Sequence, residues 1–377
     1  MTGAPSAPGI LVGVAAGPAS VEAMLVKRTP FGRLTSGGRR VRTDVDGPTR
    51  FVPLALERQL SPGPSGQKQP LRADEGRAAD GWVQSIANAI AKLTFGLRAE
   101  ALRVGVAVDA RLDGRGRDVI AMRDGARIQG LPAAIDKALR GRGIEPAGPM
   151  RRCLQLGDAW ALGEQTSALG LLGGLGGGER SLVVHWDEEV FLAEARPGLL
   201  PRGRFEGPGA RADVGFRGLD RRWRARGEGL RLLPAARRGD TAAIRLLRDA
   251  GEVLGARVGH RLIQGEREAE RVLAEGGTAP GSVRVVVGGA MGRGLLDERI
   301  DGRILGGIGA GIRRALEEAP ELARRAGLLV DEAGGSGGLA EGLLQLSREA
   351  SAPLIGAAAL ALGDDDLQDV GQETPLG

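Results

Sequence analysis

One plan occurs twice along this chain, and it restricts the fold more than any other feature. A run of small apolar residues ends in a short turn, a second apolar run returns, and stretches with helical periodicity follow. The first copy opens with "GILVGVAAG" (9–17), a buried-strand pattern ending in a Gly-containing turn. "VEAMLVKR" (21–28) reads as the strand that pairs back onto it. The second copy opens with a Gly-rich loop and strand, "LLGGLGGGERSLVVHW" (171–186), and returns through "EVFLAEARPGLLPRG" (189–203). Hairpins alternating with helices, twice over, predict an α/β protein of two lobes, since each sheet must bury its apolar faces under helices. No shorter repeat of the solenoid kind is visible.

The segments between the hairpins fill in this plan. "GWVQSIANAIAKLTFGL" (81–97) carries apolar residues at helical spacing, and "LPAAIDKALRGRG" (131–143) is a helix with Pro near its start and Gly at its end. "ALRVGVAVDA" (101–110) and "MRRCLQL" (150–156) read as strands, and "TRFVPLAL" (49–56) as a further candidate. Residues 57–80 are rich in Pro, Gly and polar groups and read as a linker. "DTAAIRLLRDAGEVLGARVGHRLIQ" (240–264) is the longest helical pattern, with Asp240 placed to cap it. "SVRVVVGGAMGRG" (282–294) is strand, Gly turn and helix start, and "APLIGAAALALG" (352–363) is an apolar helix. The boundaries predicted are a tail at 1–8, an N-terminal lobe at 9–145 plus 350–363, a C-terminal lobe at 146–349, and an acidic disordered tail at 364–377. Two lobes imply a cleft between them.

Composition excludes several chemistries. Of 377 residues 42% are hydrophobic but only 3% aromatic, with no Tyr, so the core is built from Leu, Val, Ile and Ala. The single cysteine, Cys153, rules out an intrachain disulfide and a Cys-based metal site, and its apolar surroundings make it a small buried hydrophobe. The histidines are His185, beside Trp186 at a strand end, and His260, set among apolar residues of the long helix as a core or boundary residue. The net charge of +5 is small, and the cluster "RGLDRRWRARGEG" (217–229) reads first as a solvated face and second as a phosphate contact. No aromatic-interleaved basic stripe points to nucleic acid. No leader pattern and no apolar run of membrane-spanning length is visible, so a cytoplasmic location without membrane contact is expected.

The positions with chemistry lie at strand ends. "GDAWALGE" (157–164) places Asp158 where a strand gives way to a small-residue helix; that carboxylate either caps the helix or serves as a general base. Gly17 in "VGVAAGPAS" (12–20) and Gly288 and Gly289 in "VVVGGAMGRG" (285–294) follow buried strands, where Gly lets a backbone N–H approach an anion. "GGLGGG" (173–178) reads as a surface loop. None of the three is a P-loop, because no Gly-Lys-Ser/Thr occurs.

The order of these segments resembles the sugar kinase and actin-like ATPase superfamily, and within it the ROK family of repressors and kinases. "RRGDTAAIRLLRDAGEVLGARVGHRLIQ" (237–264) is similar to the family's long helix after a Gly-Asp. "VRVVVGGAMGRGLL" (283–296) is similar to its adenosine-side strand and Gly-Gly turn, and "PLIGAAALAL" (353–362) to its closing helix. "LQLGDAWALGE" (154–164) resembles the Asn-Asp-Ala segment, "RADVGFRGL" (211–219) the Gly-Glu-Ile-Gly-His sugar segment, and "ARIQGLPAAIDKAL" (126–139) the segment leading into the interdomain helix. The resemblance, over roughly residues 9–363, implies a two-lobed actin-like ATPase (ribonuclease H-like) fold with a mixed sheet and flanking helices in each lobe. It implies Asp158 as catalytic base, Asp213 and Gly130 on the sugar side, and Gly17, Gly288 and Gly289 at the nucleotide. ATP with Mg2+ is the implied cofactor, a hexose or amino sugar the substrate, and a homodimer the assembly. Asp213 reads equally as an exposed loop carboxylate.

The departures from the pattern concern the same machinery. Ala15 stands where the family's metal-binding acid belongs, and Pro18 removes an N–H from the first phosphate turn. The second phosphate turn reads "VHWDEEV" (184–190), whose Asp187, Glu188 and Glu189 would repel a triphosphate. Gly157 replaces the Asn before Asp158, Trp160 a second Asn, and Phe216 the sugar-side His. "WRARGEGLR" (223–231) holds no thiol for the zinc loop, so no zinc is expected. Two functions follow: an ATP-dependent sugar kinase with degenerate phosphate turns, or a non-catalytic sugar- or partner-binding pseudokinase with a regulatory role. The family's repressors carry an N-terminal helix-turn-helix, whereas this sequence opens almost directly on a strand pattern, so no nucleic-acid partner is expected.

Overall fold

The computed structural model describes residues 10–17, 20–29, 33–45, 73–97, 102–121, 127–169, 180–186, 190–195, 202–205, 214–227, 231–276, 283–288, 298–331, 337–347, 349 and 351–362. The chain divides into two compact units. Unit 1 comprises Met1–Gly174, Gly198–Pro201 and Ser351–Gly377; unit 2 comprises Leu175–Pro197 and Arg202–Ala350. Residues 146–169, placed with the second lobe on sequence, pack in unit 1.

Unit 1 opens with an antiparallel meander, β1 (Ile10–Ala16), β2 (Ser20–Arg28) and β3 (Leu34–Asp44). β4 (Leu102–Val108) then lies parallel to β1, and β7 (Leu154–Gln155) parallel to β4, giving the order β3-β2-β1-β4-β7. A small ribbon of β5 (Arg111–Leu112) and β6 (Val119–Ala121) stands apart. Helices α1 (Ala73–Thr94) and α2 (Leu131–Arg140) build the core against one face, where Val12, Val14, Val104 and Val106 meet Trp82, Ile86, Ile90 and Ile135. On the other face α3 (Leu156–Leu169) and the distant helix α9 (Ala352–Leu362) enclose Leu11, Met24, Ala107 and Leu154.

Glycine makes that second contact possible. Gly13 and Gly105 are partners across β1 and β4, and a Cβ on either would come within 1.7 Å of a carbonyl oxygen of α9, Leu354 and Ala357 respectively. The helix therefore rests backbone to backbone on the sheet, and no side chain larger than hydrogen fits between them.

Unit 2 repeats the strand plan. β8 (Arg180–Trp186), β9 (Val190–Ala195) and β10 (Arg202–Phe205) form the meander, and β11 (Val283–Gly288) and β14 (Leu344–Leu346) follow in parallel, in the order β10-β9-β8-β11-β14. Its helices are α4 (Phe216–Arg224), α5 (Leu232–Arg237), α6 (Thr241–Ala274), α7 (Glu298–Leu316) and α8 (Pro320–Arg325), with a ribbon of β12 (Leu329–Asp331) and β13 (Gly337–Leu339). One core joins Val184, Trp186, Trp223, Leu247, Leu254, Val285, Val287, Ile308 and Ile312. α6 and α7 touch through glycine: a Cβ on Gly255 would come 2.0 Å from Ile308 O, and one on Gly311 2.0 Å from Glu252 O.

Most expected elements are present, and the differences have local causes. α1 begins at Ala73 rather than 81, because "ADEGRAAD" carries acidic residues that suit a helix N-terminus but lacks the apolar spacing that marks one. The strand expected over 150–156 pairs only at Leu154 and Gln155; Cys153 N–H leaves the ladder to donate to Gly116 O at 2.7 Å. α6 is capped as expected, Asp240 Oδ1 accepting from Ala242 and Ala243 N–H at 2.8 and 2.9 Å, and it runs ten residues past 264. That extension, "GEREAERVLA", is made of good helix formers apart from Gly265 and Val272. His260 is not a core residue: its side chain is 53% exposed and its Nε2 lies 3.0 Å from Glu318 Oε2. The 217–229 cluster covers α4 from its second residue on, with Trp223 buried and Arg221 and Arg222 exposed, as a solvated face requires. The expected strand at 49–56, the N-terminal tail and the acidic C-terminal tail lie outside the described residues.

Candidate functional site

Three strands of unit 1 end side by side. Ala16 of β1 pairs with Val108 of β4, and Val108 pairs with Gln155 of β7, all three strands running in one direction. The carboxyl edge of such a parallel set is where open α/β sheets bind ligands. Gly17, Asp109 and the first turn of α3, with Asp158, continue directly from it.

The faces of these strands sort the residues. Val106 and Val108 belong to the core under α1, whereas Ala107 packs with Ala159 and Leu162 of α3. Ala15 pairs with Ala107 and packs against the same α3-side core. Asp109 is two residues beyond Ala107 and extends the ladder, its N–H donating to Ala16 O at 2.8 Å. Asp158 lies within the first turn of α3, where the helix dipole favours a carboxylate. It is half-buried, as is Asp109, and Ala159, Trp160, Ala161 and Leu162 behind it are buried.

The β1–β2 turn is committed to its own structure. Gly17 N–H donates to Ser20 O at 2.9 Å, and Gly17 O accepts from the indole Nε1 of buried Trp82 at 3.0 Å. Pro18 has no N–H to offer. Gly17 therefore cannot present its N–H to a phosphate while the turn keeps this form. The metal site implied by the resemblance fares no better. Ala15 carries no donor, and among the described residues no group of three metal-ligating side chains exists for magnesium or zinc. Position 15 therefore offers this edge nothing with which to hold a metal ion.

Gly130 is bound at both of its backbone groups. It sits at φ +60 before α2, its N–H donates to Asp118 Oδ1 at 2.8 Å, and its carbonyl accepts from Ala134 N–H at 3.0 Å. Asp118 is itself held by Asp113, whose Oδ1 accepts from Arg117 N–H at 2.7 Å and Asp118 N–H at 3.0 Å. Burial pulls the Asp113 carboxyl upward, but the N–H groups of Asp118, Arg117 and Arg115 and the Arg115 guanidinium outweigh it and leave the pKa below its ordinary value. Cys153 is buried as expected, and desolvation together with the nearby Asp136 carboxylate pushes its thiol far upward, so it is no nucleophile.

In unit 2 the corresponding edge is formed by Trp186, Gly288 and Leu346. Gly288 is buried and pairs with His185, which pairs on its other side with Phe191. Trp186 is buried and donates from Nε1 to Val214 O at 2.7 Å. Asp213, Gly289 and the acidic run 187–189 lie outside the described residues; Phe216 begins α4.

Sequence reasoning found Gly17 and Asp158 at this edge but missed Asp109 and Trp82. Asp109 had the same signal as Asp158, an aspartate directly after a buried strand. Trp82 had none, since its partner is 65 residues away.

No family model matches this sequence, and no curated protein matches it. Solved structures do. A ROK family glucokinase from Streptomyces griseus, in complex with glucose and AMPPNP, superposes with a TM-score of 0.54 at 18% identity, covering 94% of this chain and 99% of its own. A ROK hexokinase from Thermus thermophilus gives 0.51 at 19%, covering 93% and 97%. A ROK family transcriptional regulator, a homologue of the E. coli MLC protein, gives 0.55 at 13%, covering 93% and 77%. With its two five-stranded mixed sheets, each under helices, the chain thus has the actin-like ATPase fold in the form found in ROK-family sugar kinases and regulators.

Proposed function

We propose that this protein binds a sugar on a kinase-type fold and has lost efficient phosphoryl transfer. The observation that carries this reading is the β1–β2 turn, where Gly17 is hydrogen-bonded at both its N–H and its carbonyl, position 15 is Ala, and position 18 is Pro. Phosphoryl transfer is almost entirely positioning and charge neutralisation, so removing the backbone donors and the metal acid removes most of the catalyst. A hexose or amino sugar is the ligand class, as in the glucose-bound glucokinase that shares the fold. Asp158 accepts a sugar hydroxyl proton in a hydrogen bond, and Asp213 is a further sugar contact that rests on the family resemblance alone. A regulator among the structural neighbours supports a role in which binding is the output.

Calorimetry with glucose and with N-acetylmannosamine, each with and without Mg-ATP, tests this. The expected result is heat on sugar addition, none on nucleotide addition, and sugar affinity unchanged by Mg-ATP. A second reading, a slow ATP-dependent kinase, is favoured by Asp158 itself, which stays in the first turn of α3 at the carboxyl edge. Nucleotide heat with turnover that Asp158→Asn abolishes, at nearly unchanged sugar affinity, would install that reading instead.

A further inference from the structure

The opposite edge of the unit 1 sheet, where β1 and β4 begin, carries a basic rim. α9 runs toward this edge and ends there, its Leu362 O accepting from Arg103 Nη1 at 3.2 Å. Arg103 stands opposite Leu11 of β1, and Leu11 opposite Val26 of β2, so the three form one row across the sheet. The row faces α9, because Leu11 and Val26 belong to the core under that helix. Arg28 lies two residues past Val26 and pairs with Leu34 of the same core, so it shares that face. Lys27 and Arg33 stand beside it, and Thr29 N–H donates to Arg33 O at 2.8 Å, which closes the β2–β3 connection and holds Arg33 near Arg28.

Lys27, Arg28, Arg33 and Arg103 are all exposed, and they are the charged residues among 10–11, 26–29, 33–35, 102–103 and 360–362. Among the described residues no carboxylate is ion-paired with any of the four. Like charges gathered on one edge repel, and an anion laid across them removes that cost. The chain itself supplies one at this place. Gly363 follows the last residue of α9, then come Asp364, Asp365 and Asp366, and Asp369 after two uncharged residues. Arg28 is two strand spacings from Arg103 across the sheet and two residues further along β2, about 12 Å in all. Extended chain covers about 3.3–3.6 Å per residue, so Asp366, the fourth residue past Leu362, reaches about 13 Å.

We propose that the rim of Lys27, Arg28, Arg33 and Arg103 is the docking surface for the acidic segment 364–369 of the same chain, which thereby clasps the end of α9 to β2 and β4. Each exposed ion pair is weak on its own. A tether of one glycine gives the segment an effective concentration on the order of millimolar, so several weak pairs suffice to hold it. The contact is screened by salt, as any contact between exposed charges is.

The experiment is fluorescence anisotropy at low ionic strength with a labelled peptide of residues 363–377. The receptor is the full chain carrying Asp364→Asn, Asp365→Asn, Asp366→Asn and Asp369→Asn, whose own segment no longer competes. The peptide is expected to bind this receptor, and to bind the unaltered chain about tenfold more weakly because the rim is already occupied. Adding Lys27→Gln, Arg28→Gln and Arg33→Gln to the receptor is expected to weaken binding about tenfold, three exposed pairs together being worth roughly one decade. These side chains are exposed, and an unchanged melting temperature checks that the variant folds. Raising the salt, or using a peptide with the four aspartates changed to Asn, is expected to abolish binding. No binding to the receptor at low salt, equal binding by the unaltered chain, or binding that the rim substitutions or the neutral peptide leave unchanged overturns the proposal. None of these substitutions touches Gly17, Asp109 or Asp158, so the outcome is independent of whether sugar or nucleotide binds at the carboxyl edge.

Discussion

Unit 1 and unit 2 thread five strands in the same order but fill the space around the sheet in different ways. Unit 1 has separate cores on the two faces of its sheet, one under α1 and α2 and one under α3 and α9. Among the described residues of unit 2, one core runs from the strands through α6 and α7, which approach each other through glycine. In both, the closest approach runs through glycine: in unit 1 it joins α9 to the sheet and, through Gly163 and Gly356, α9 to α3, and in unit 2 it joins helix to helix. One topology thus tolerates two packing solutions, provided each removes the side chains from one line of contact.

The largest test of this comparison puts side chains back on those lines. Gly105→Val is expected to drive α9 off β4 and lower the stability of unit 1 by about 3 kcal/mol or more, since overpacking with no room to relax exceeds the usual range. Gly255→Val is expected to do the same to the α6–α7 contact. Scanning calorimetry would read two transitions, each substitution lowering only one; a single transition lowered by both would show that the units do not unfold separately. A smaller effect is expected from Trp82→Phe, which leaves Gly17 O without its indole donor. The loss is about 1–2 kcal/mol, read by urea denaturation, and the loosened turn should show increased amide exchange at Gly17. Asp240→Ala should cost about 1 kcal/mol in unit 2 alone, because two first-turn N–H groups of α6 lose their acceptor.

The smallest effect is a pH dependence confined to unit 1. The Asp113 carboxyl titrates below its ordinary value in the folded chain, so its contribution is present above about pH 4 and is lost as pH falls through the folded pKa. The wild-type protein should therefore lose stability faster than Asp113→Asn between about pH 5 and pH 2. Equal slopes for the two proteins would remove Asp113 from the list of acid-sensitive contacts.

Much of this was legible in the sequence wherever the signal is local. The β1–β2 hairpin, β4, α2, β8 with β9, and α9 follow from apolar periodicity and turn residues, and the cap at Asp240 from its residue type. The unit boundary was not legible, because α3 joins unit 1 by packing on α9 from nearly two hundred residues downstream, and no local pattern reports that. At the candidate site Gly17 and Asp158 were marked by following buried strands. The commitment of Gly17 was hidden because it depends on Trp82, whose helix was read only as an apolar face.

The placement of α9 has a consequence for how the protein is made. A ribosome emits β1 to α3 first, then all of unit 2, and only then residues 352–362. Until that helix emerges, Gly13, Gly105 and the small residues around them form an open apolar trough. The earlier-made unit is thus the later one to mature, and during translation it is the half exposed to chaperones and to misassembly.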